Sequence, residues 1–487
     1  MITVQLNKAD FEYDIHSLVK AFFPAEDVSV SVLESGMQKG EPSGHPFRIV
    51  TEYGENSISV SFYDESGNVI LEKKTTVDFS DRKETKNRLK RVFYRMLREQ
   101  TGRELPWGSL TGIRPTKIPM QFLEEGKSEP FIKDYMKETY FASDDKINLS
   151  ISIAKKEREL LKKIDYGKGY SLYIGIPFCP TTCSYCSFTS YPIGAWQNRV
   201  DEYLGALEKE IAFAKERFAD RKLNSVYIGG GTPTTLAPAQ LERLIGMITS
   251  GFDLSSCLEF TVEAGRPDSI TREKLDVLRK YGISRISINP QTMNDRTLQI
   301  IGRRHTAEQV EQSFYLAREL GFDNINMDLI VGLPDETVTE VEATMRRIQA
   351  LSPDNVTVHS LALKRAARLT MFKEDYSEFC FQNTEETIAL TAAYAKKMGM
   401  EPYYLYRQKN MAGNFENVGY ARPGKAGIYN ILIMEEVQSI LALGAGAISK
   451  RVYPDGRIER CENVKDVAQY IGRIDEMIER KRKMFRG

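Results

Sequence analysis

Three of the chain's six cysteines, Cys179, Cys183 and Cys186, fall within eight residues at the spacing C-x3-C-x2-C. The triplet offers three thiolates and no fourth. That donor set suits a cubane iron–sulfur cluster with one iron left open, because such clusters are held by cysteine thiolates. A structural zinc site takes four ligands, and no fourth Cys or His lies near in the sequence. A disulfide would leave an odd thiol in the loop. The remaining cysteines, Cys257, Cys380 and Cys461, are far apart. Free thiols together with a thiolate cluster point to a reducing compartment, the cytoplasm.

Other polar residues sit where apolar runs end. Gly229-Gly-Gly-Thr-Pro-Thr234 would let backbone N–H groups approach a ligand with no Cβ in the way. Glu263 and Gln291 end apolar runs, and Asp328 interrupts one. A polar residue in an apolar strand is costly unless it meets a partner or a ligand. Three on successive runs favour one shared polar site. His359 reads as a buried, hydrogen-bonded histidine. Arg303-Arg-His305 and Lys364-Arg-Ala-Ala-Arg368 are local basic clusters. The second would suit a substrate with several carboxylates, which arginine pairs bidentately. A solvated helix start is the alternative for Lys364 and Arg365.

These residues need strands to hold them. Apolar runs at 172–178, 225–228, 258–262, 285–288, 325–331 and 355–361 read as strands. Helical periods occupy 198–217, 238–248, 271–281, 307–320 and 338–351 between them. Six strands joined by five helices imply a parallel α/β sheet, open or closed into a barrel. In both forms, ligands bind at the C-terminal strand ends.

The flanking regions differ. Residues 1–84 are strand-rich, with a hairpin turn at 64–68. An amphipathic helix covers 86–101, its polar face bearing Arg88, Lys90, Arg91, Arg95 and Arg98. A solvated face is the first reading, and a dock for RNA or an acidic partner the second. After 375 the alternation stops, and a C-terminal domain is expected over the open end of the sheet. The expected domains are 1–165, 166–375 and 376–487. Lys+Arg and Asp+Glu both number 67, which gives no global case for nucleic acid or a membrane surface. No apolar run reaches the length of a membrane span, and residues 1–10 lack a signal-peptide layout.

Taken together, these motifs resemble the radical S-adenosylmethionine (SAM) superfamily, and within it the oxygen-independent coproporphyrinogen III oxidase (dehydrogenase) family, HemZ type. The likeness rests on the cysteine loop with Tyr185 before its last cysteine, Gly-Gly-Gly-Thr-Pro-Thr, Val-Glu-Ala264, Asn-Pro-Gln291, Asp328-Leu-Ile-Val-Gly-Leu-Pro and Leu443-Gly-Ala-Gly-Ala. It implies a partial (β/α)6 barrel with an α+β N-terminal domain and a small C-terminal α+β domain. It implies a [4Fe-4S] cluster on Cys179, Cys183 and Cys186, with SAM on its open iron. Gly230, Gly231 and Thr232 would hold the methionine part of SAM. Glu263, Gln291, Arg303 and Asp328 would place the rest, with Tyr173, Tyr185, Ala362 and Ile448 at further contact positions. One electron, from a donor such as flavodoxin or ferredoxin, would release a 5′-deoxyadenosyl radical that starts propionate decarboxylation on a tetrapyrrole. Two departures bear on the substrate. Phe188 stands where well-studied oxidases of this family carry a fourth cysteine, and it resembles the haem-chaperone branch. Tyr429-Asn430 stands where that branch carries His-Asn. The resemblance therefore implies an oxidase, with a haem carrier as the alternative; an RNA-acting radical SAM enzyme is suggested only by the basic helix at 86–101.

Overall fold

A computed structural model describes residues 1–32, 47–362, 364, 366–408 and 411–486. They form two compact units, Met1–Ala154 with Tyr406–Glu416, and Lys155–Leu405 with Asn417–Gly487.

The first unit is built on a five-stranded sheet of order β2-β1-β3-β4-β5. Its strands are β1 (Ile2–Leu6), β2 (Val28–Val32), β3 (Arg48–Tyr53), β4 (Ser57–Tyr63) and β5 (Val69–Thr76). The hairpin joining β4 and β5 turns where Asp64 accepts the Asn68 amide. Helix Arg82–Thr101 begins where the Asp81 carboxylate accepts the Glu84 amide and stops at Gly102, φ 65°. Those are an N-cap and a left-handed glycine C-cap. Leu89, Phe93, Met96 and Leu97 recur at helical spacing and are fully buried in the core of this unit. Each such burial stabilises by roughly 1.5–3 kcal/mol relative to exposure. On the polar face, Arg88 and Arg91 bond Glu84 and Arg98 bonds Glu104. Three cations of the basic stripe are thus paired within the unit.

The second unit carries one eleven-stranded sheet. Its parallel core comprises β6 (Gly169–Ile176), β9 (Lys222–Gly230), β10 (Glu259–Gly265), β11 (Arg285–Ile288), β12 (Ile325–Val331) and β13 (Asn355–Ser360). Two short pieces, β7 (Phe178–Cys179) and β8 (Tyr191–Pro192), pair with each other beside it. Helices Val200–Arg217, Pro238–Gly251, Arg272–Lys280, Ala307–Glu319 and Val338–Leu351 connect the core strands. Several start at a threonine N-cap, among them Thr271, Thr306 and Thr337. A short helix, Asp295–Ile300, also lies between β11 and β12, where the sequence reading has none. Six residues are too few to show a period.

The boundaries differ from those expected. The first unit ends at Ala154, inside helix Asp144–Leu161, rather than near 165. The C-terminal strands are β14 (Glu401–Tyr406), β15 (Asn417–Ala421), β16 (Ser439–Leu443), β17 (Ile448–Val452) and β18 (Ile458–Glu462). They extend the sheet at both edges and do not stand apart from 376 onward. β15 pairs antiparallel with β13, and β16 pairs parallel with β6. The physical reason is that the edge strands of the core present rows of backbone N–H and C=O groups that need partners.

Candidate active site

The strand interiors of the parallel core are almost wholly buried. Tyr173 in β6, Tyr227 in β9, Glu263 in β10, Asp328 in β12 and His359 in β13 are each half-buried between buried neighbours. Side chains alternate along a strand. Five of the six core strands carry such a position, β11 being the exception, and the register puts all five on one face of the sheet, with Glu263, Asp328 and His359 each two residues further along than the position before. Register supports the alignment, since Tyr173 lies directly beside Tyr227.

The ring is internally bonded. The Tyr227 hydroxyl donates to Glu263 Oε1. Its ring stacks on Tyr429 at 4.5 Å, and Tyr173 lies 6.2 Å from both. Burial pushes the Glu263 carboxyl up to about 7, and the nearby Asp328 charge adds to that rise. Burial acts the same way on Asp328, but His359, Asn326 and Thr357 outweigh it and hold the carboxyl below its ordinary value. Asn326 donates to Asp328 Oδ1 at 2.7 Å, and His359 Nε2 lies 3.9 Å from it. One face of the sheet thus holds a carboxyl raised to about 7 beside one held below its ordinary value. Environments that separate two carboxyls in this way assign them different roles.

Gln291 completes this face by an unusual route. It is 8% exposed and left-handed, φ 68°. Its amide donates to Asp328 O at 3.0 Å, and its carbonyl accepts from Ile330 N at 2.9 Å. Left-handed backbone at a residue other than glycine costs on the order of 1 kcal/mol, and such strain gathers at functional sites.

The cysteine loop is anchored at the same strand ends. Gly231 N donates to Ile176 O and Thr232 N to Phe178 O, both at 2.7 Å. These glycine-motif amides are therefore committed to the cysteine strand and are not turned to a ligand, as the sequence reading expected. The glycines act through close approach. A Cβ on Gly231 would lie 2.5 Å from Phe178 O and 3.0 Å from Cys179 Sγ. Further along the loop, Ser184 N donates to Ile301 O at 3.0 Å and Leu369 N to Ser184 O at 2.9 Å. All three cysteines are free thiols. Burial pushes the Cys179 thiol up to about 11 and raises Cys186 as well. Thiols so raised are deprotonated by binding to a metal. Arg303 donates to Asn289 O and the Tyr185 hydroxyl. Arg266, which sequence reasoning passed over, points Nη1 at Cys183 Sγ from 3.8 Å. Among the described residues, no three of His, Cys, Asp and Glu close on a single metal ion. Three thiols, a cradle that a Cβ would fill and a guanidinium turned on Cys183 fit an anionic, thiolate-held cluster.

The other expected positions are less tightly joined. Ala362 follows β13 at intermediate burial, and Ile448, 42% exposed, opens β17. Both are aliphatic and offer only shape. Lys364 Nζ lies 5.5 Å from the Phe188 ring centroid. Arg368 is exposed, and Arg365 lies outside the described residues. Tyr227 was also missed, and Tyr429, read from the sequence only as the replacement of a histidine, stacks on it. Tyr227 could have been found from its alternation within an apolar run two residues before the glycines.

Comparison with known proteins identifies the class to which the chain belongs. Residues 173–348 match the model of the Radical SAM superfamily. The protein is a radical SAM protein, a class whose cofactors are a [4Fe-4S] cluster and SAM. Over 404 residues it is 42% identical to the oxygen-independent coproporphyrinogen-III oxidase-like protein HemZ of Bacillus subtilis (strain 168), across 82% of this chain and 81% of that one. The chain belongs to this HemN/HemZ-type family. The heme chaperone HemW of the same organism is 42% identical over 195 residues, which span 40% of this chain and 51% of the relative. The solved coproporphyrinogen III oxidase HemN of Escherichia coli superposes with a TM-score of 0.53 at 25% identity, covering 66% of this chain and 73% of that one. Among the described residues, no helix is long and apolar enough to cross a membrane.

Proposed function

We propose that the protein converts coproporphyrinogen III to protoporphyrinogen IX without oxygen, by oxidative decarboxylation of two propionates in porphyrin synthesis. The observation that carries this reading is the ring of half-buried strand residues, Tyr173, Tyr227, Glu263, Asp328 and His359, in a chain whose glycine motif binds the cysteine loop to the same sheet. When bound, the cluster and SAM supply reductive carbon–sulfur cleavage and a carbon radical that abstracts hydrogen. Cys179, Cys183 and Cys186 would hold the cluster. Gly230, Gly231 and Thr232 would face the methionine end of SAM. With the Gly231 and Thr232 amides committed to the cysteine strand, carbonyl oxygens are the groups this loop has to offer an ammonium. Glu263, Gln291, Arg303 and Asp328 would orient the rest of SAM, flanked by Tyr173, Tyr185, Ala362 and Ile448. Lys364 and Arg368 are cations suited to the substrate carboxylates. In each round a propionate loses one hydrogen atom, gives one electron to an external one-electron acceptor, releases carbon dioxide and is left as a vinyl group. A low-potential donor of the flavodoxin or ferredoxin kind supplies the electron that opens each round. The inner face of the sheet would keep water from the reacting carbon, which protects reactive intermediates.

Two relatives support this reading by name, the HemZ protein and the HemN oxidase. Phe188 and the HemW likeness favour a second reading, a haem carrier. Against it, Tyr429 stands where that branch has a histidine, and it is 5% exposed and stacked on Tyr227. The test is anaerobic incubation of the reconstituted protein with SAM, dithionite and coproporphyrinogen III, with porphyrin products read by fluorescence after oxidation. The expected result is protoporphyrin formation that depends on SAM. Tight haem binding with SAM cleavage but no vinyl product would replace the first reading by the second.

A further inference from the structure

We propose that Arg266 is a positioning residue that places a fixed cation on the Cys183 thiolate and so sets the reduction potential of the cluster. This rests on the reading of Cys179, Cys183 and Cys186 as the cluster ligands. Arg266 follows the end of β10, three residues after Glu263, and is 2% exposed. Its guanidinium is held as a fork. Nε donates to Asp268 Oδ1 at 3.0 Å and Nη2 to Asp268 Oδ2 at 2.7 Å. That bidentate pair fixes the plane of the group and leaves Nη1 aimed at the cysteine loop. Nη1 donates to Thr181 O at 3.0 Å, to Thr181 Oγ1 at 2.8 Å and to Cys183 Sγ at 3.8 Å. Thr181 is itself tied to Gly302 O at 2.9 Å. The arginine thus holds the loop at Thr181 and Cys183, and Ile301–Gly302 holds it at Thr181 and Ser184.

A surface arginine beside a thiol would be screened by water. This one is 2% exposed, so water screens it little, while the Asp268 carboxylate that fixes its plane offsets part of its charge. Hydrogen bonds to cluster sulfurs and positive charge nearby favour the more reduced, more negative cluster. The expected consequence is a one-electron couple that an external low-potential donor can reach. Asp268 positions Arg266 and does not touch the loop sulfur.

The test uses the full-length protein, reconstituted anaerobically, without SAM and without substrate. Wild type, Arg266→Met and Arg266→Lys are compared for iron, for acid-labile sulfide and for the midpoint of an EPR-monitored redox titration. The proposal expects Arg266→Met to hold its cluster at a more negative midpoint, so that a fixed dithionite poise reduces several-fold less of it. Arg266→Lys should recover most of the shift. If Arg266→Met loads no cluster while Arg266→Lys loads one near the wild-type midpoint, the cation is the requirement and the proposal stands. An Arg266→Met cluster with the wild-type midpoint overturns it. Loss of cluster in both variants, with unchanged urea unfolding, also overturns it and leaves a loop-holding role. A wild-type protein that takes up no iron and sulfide defeats the cluster reading itself, an outcome distinct from the others.

Discussion

Gln291 and His305 show how single residues carry strain for the site. Gln291 holds a left-handed backbone conformation and bridges β11 to β12 through Asp328 and Ile330. Gln291→Gly relieves the conformation but loses the carboxamide. Thermal unfolding should then change by less than about 1 kcal/mol, while SAM affinity by equilibrium dialysis falls at least tenfold. Unchanged affinity would make Gln291 a backbone device only. His305 is 3% exposed and has an Asp268 oxygen 3.9 Å from Nδ1. Burial first, and then the Arg303 charge, depress its folded pKa to about 3. In the unfolded chain a histidine titrates near 6.5. Between those values the unfolded state binds a proton that the folded state refuses. The stability His305 contributes is therefore full above about 6.5 and is lost as pH falls towards 3. From pH 7 to pH 5 the loss is on the order of 2 kcal/mol. Urea unfolding at both pH values should show His305→Gln losing less stability than wild type over that interval. Equal losses would contradict the assignment. At this scale the cysteines, glycines and strand-end carboxylates were legible from type and spacing. Arg266 and Tyr227 were not, because their roles come from partners 83 and 36 positions away in the chain, Cys183 and Glu263, and the stacking of Tyr429 on Tyr227 spans 202 positions.

Elements hold these residues in register. The Leu-Gly-Ala-Gly-Ala stretch after β16 illustrates how. Gly444 N donates to Glu210 Oε2 at 2.8 Å, and the Tyr470 hydroxyl and Lys481 Nζ bond the same carboxylate at 2.6 and 2.7 Å. Glu210 and Lys481 side chains are both fully buried. Breaking a buried pair on one side leaves a charge uncompensated, at a cost of about 3–5 kcal/mol. Lys481→Met should therefore destabilise the protein by that order in urea unfolding. The double change with Glu210→Gln should recover part of the loss. A single-variant effect below about 1 kcal/mol would mean that helix Ile474–Met484 does not secure the loop through this pair. The core strands and their helices were readable because apolar runs and 3.6-residue periods are local signals. The additions at both sheet edges were not. Pairing of β16 with β6 joins residues more than 260 positions apart, and no local period encodes that.

At the scale of the molecule, the second unit has the sheet and the cysteine loop of its superfamily, and the kinship over 82% of the chain places it in the HemN/HemZ-type family. The class was legible because cofactor chemistry demands particular residue types at close spacing. The substrate was less so, since Phe188 and Tyr429 point away from different branches. The first unit shows a basic helix with three of its arginines already paired to glutamates, which weakens the case for RNA that its composition raised. The proposed reaction begins with hydrogen abstraction from a propionate inside the second unit. Coproporphyrinogen III deuterated at the propionate β-carbons, turned over anaerobically with SAM and dithionite, tests it most directly. The account predicts deuterium in the recovered 5′-deoxyadenosine, in step with vinyl formation. Unlabelled 5′-deoxyadenosine, made at the same rate with or without the substrate, would contradict it.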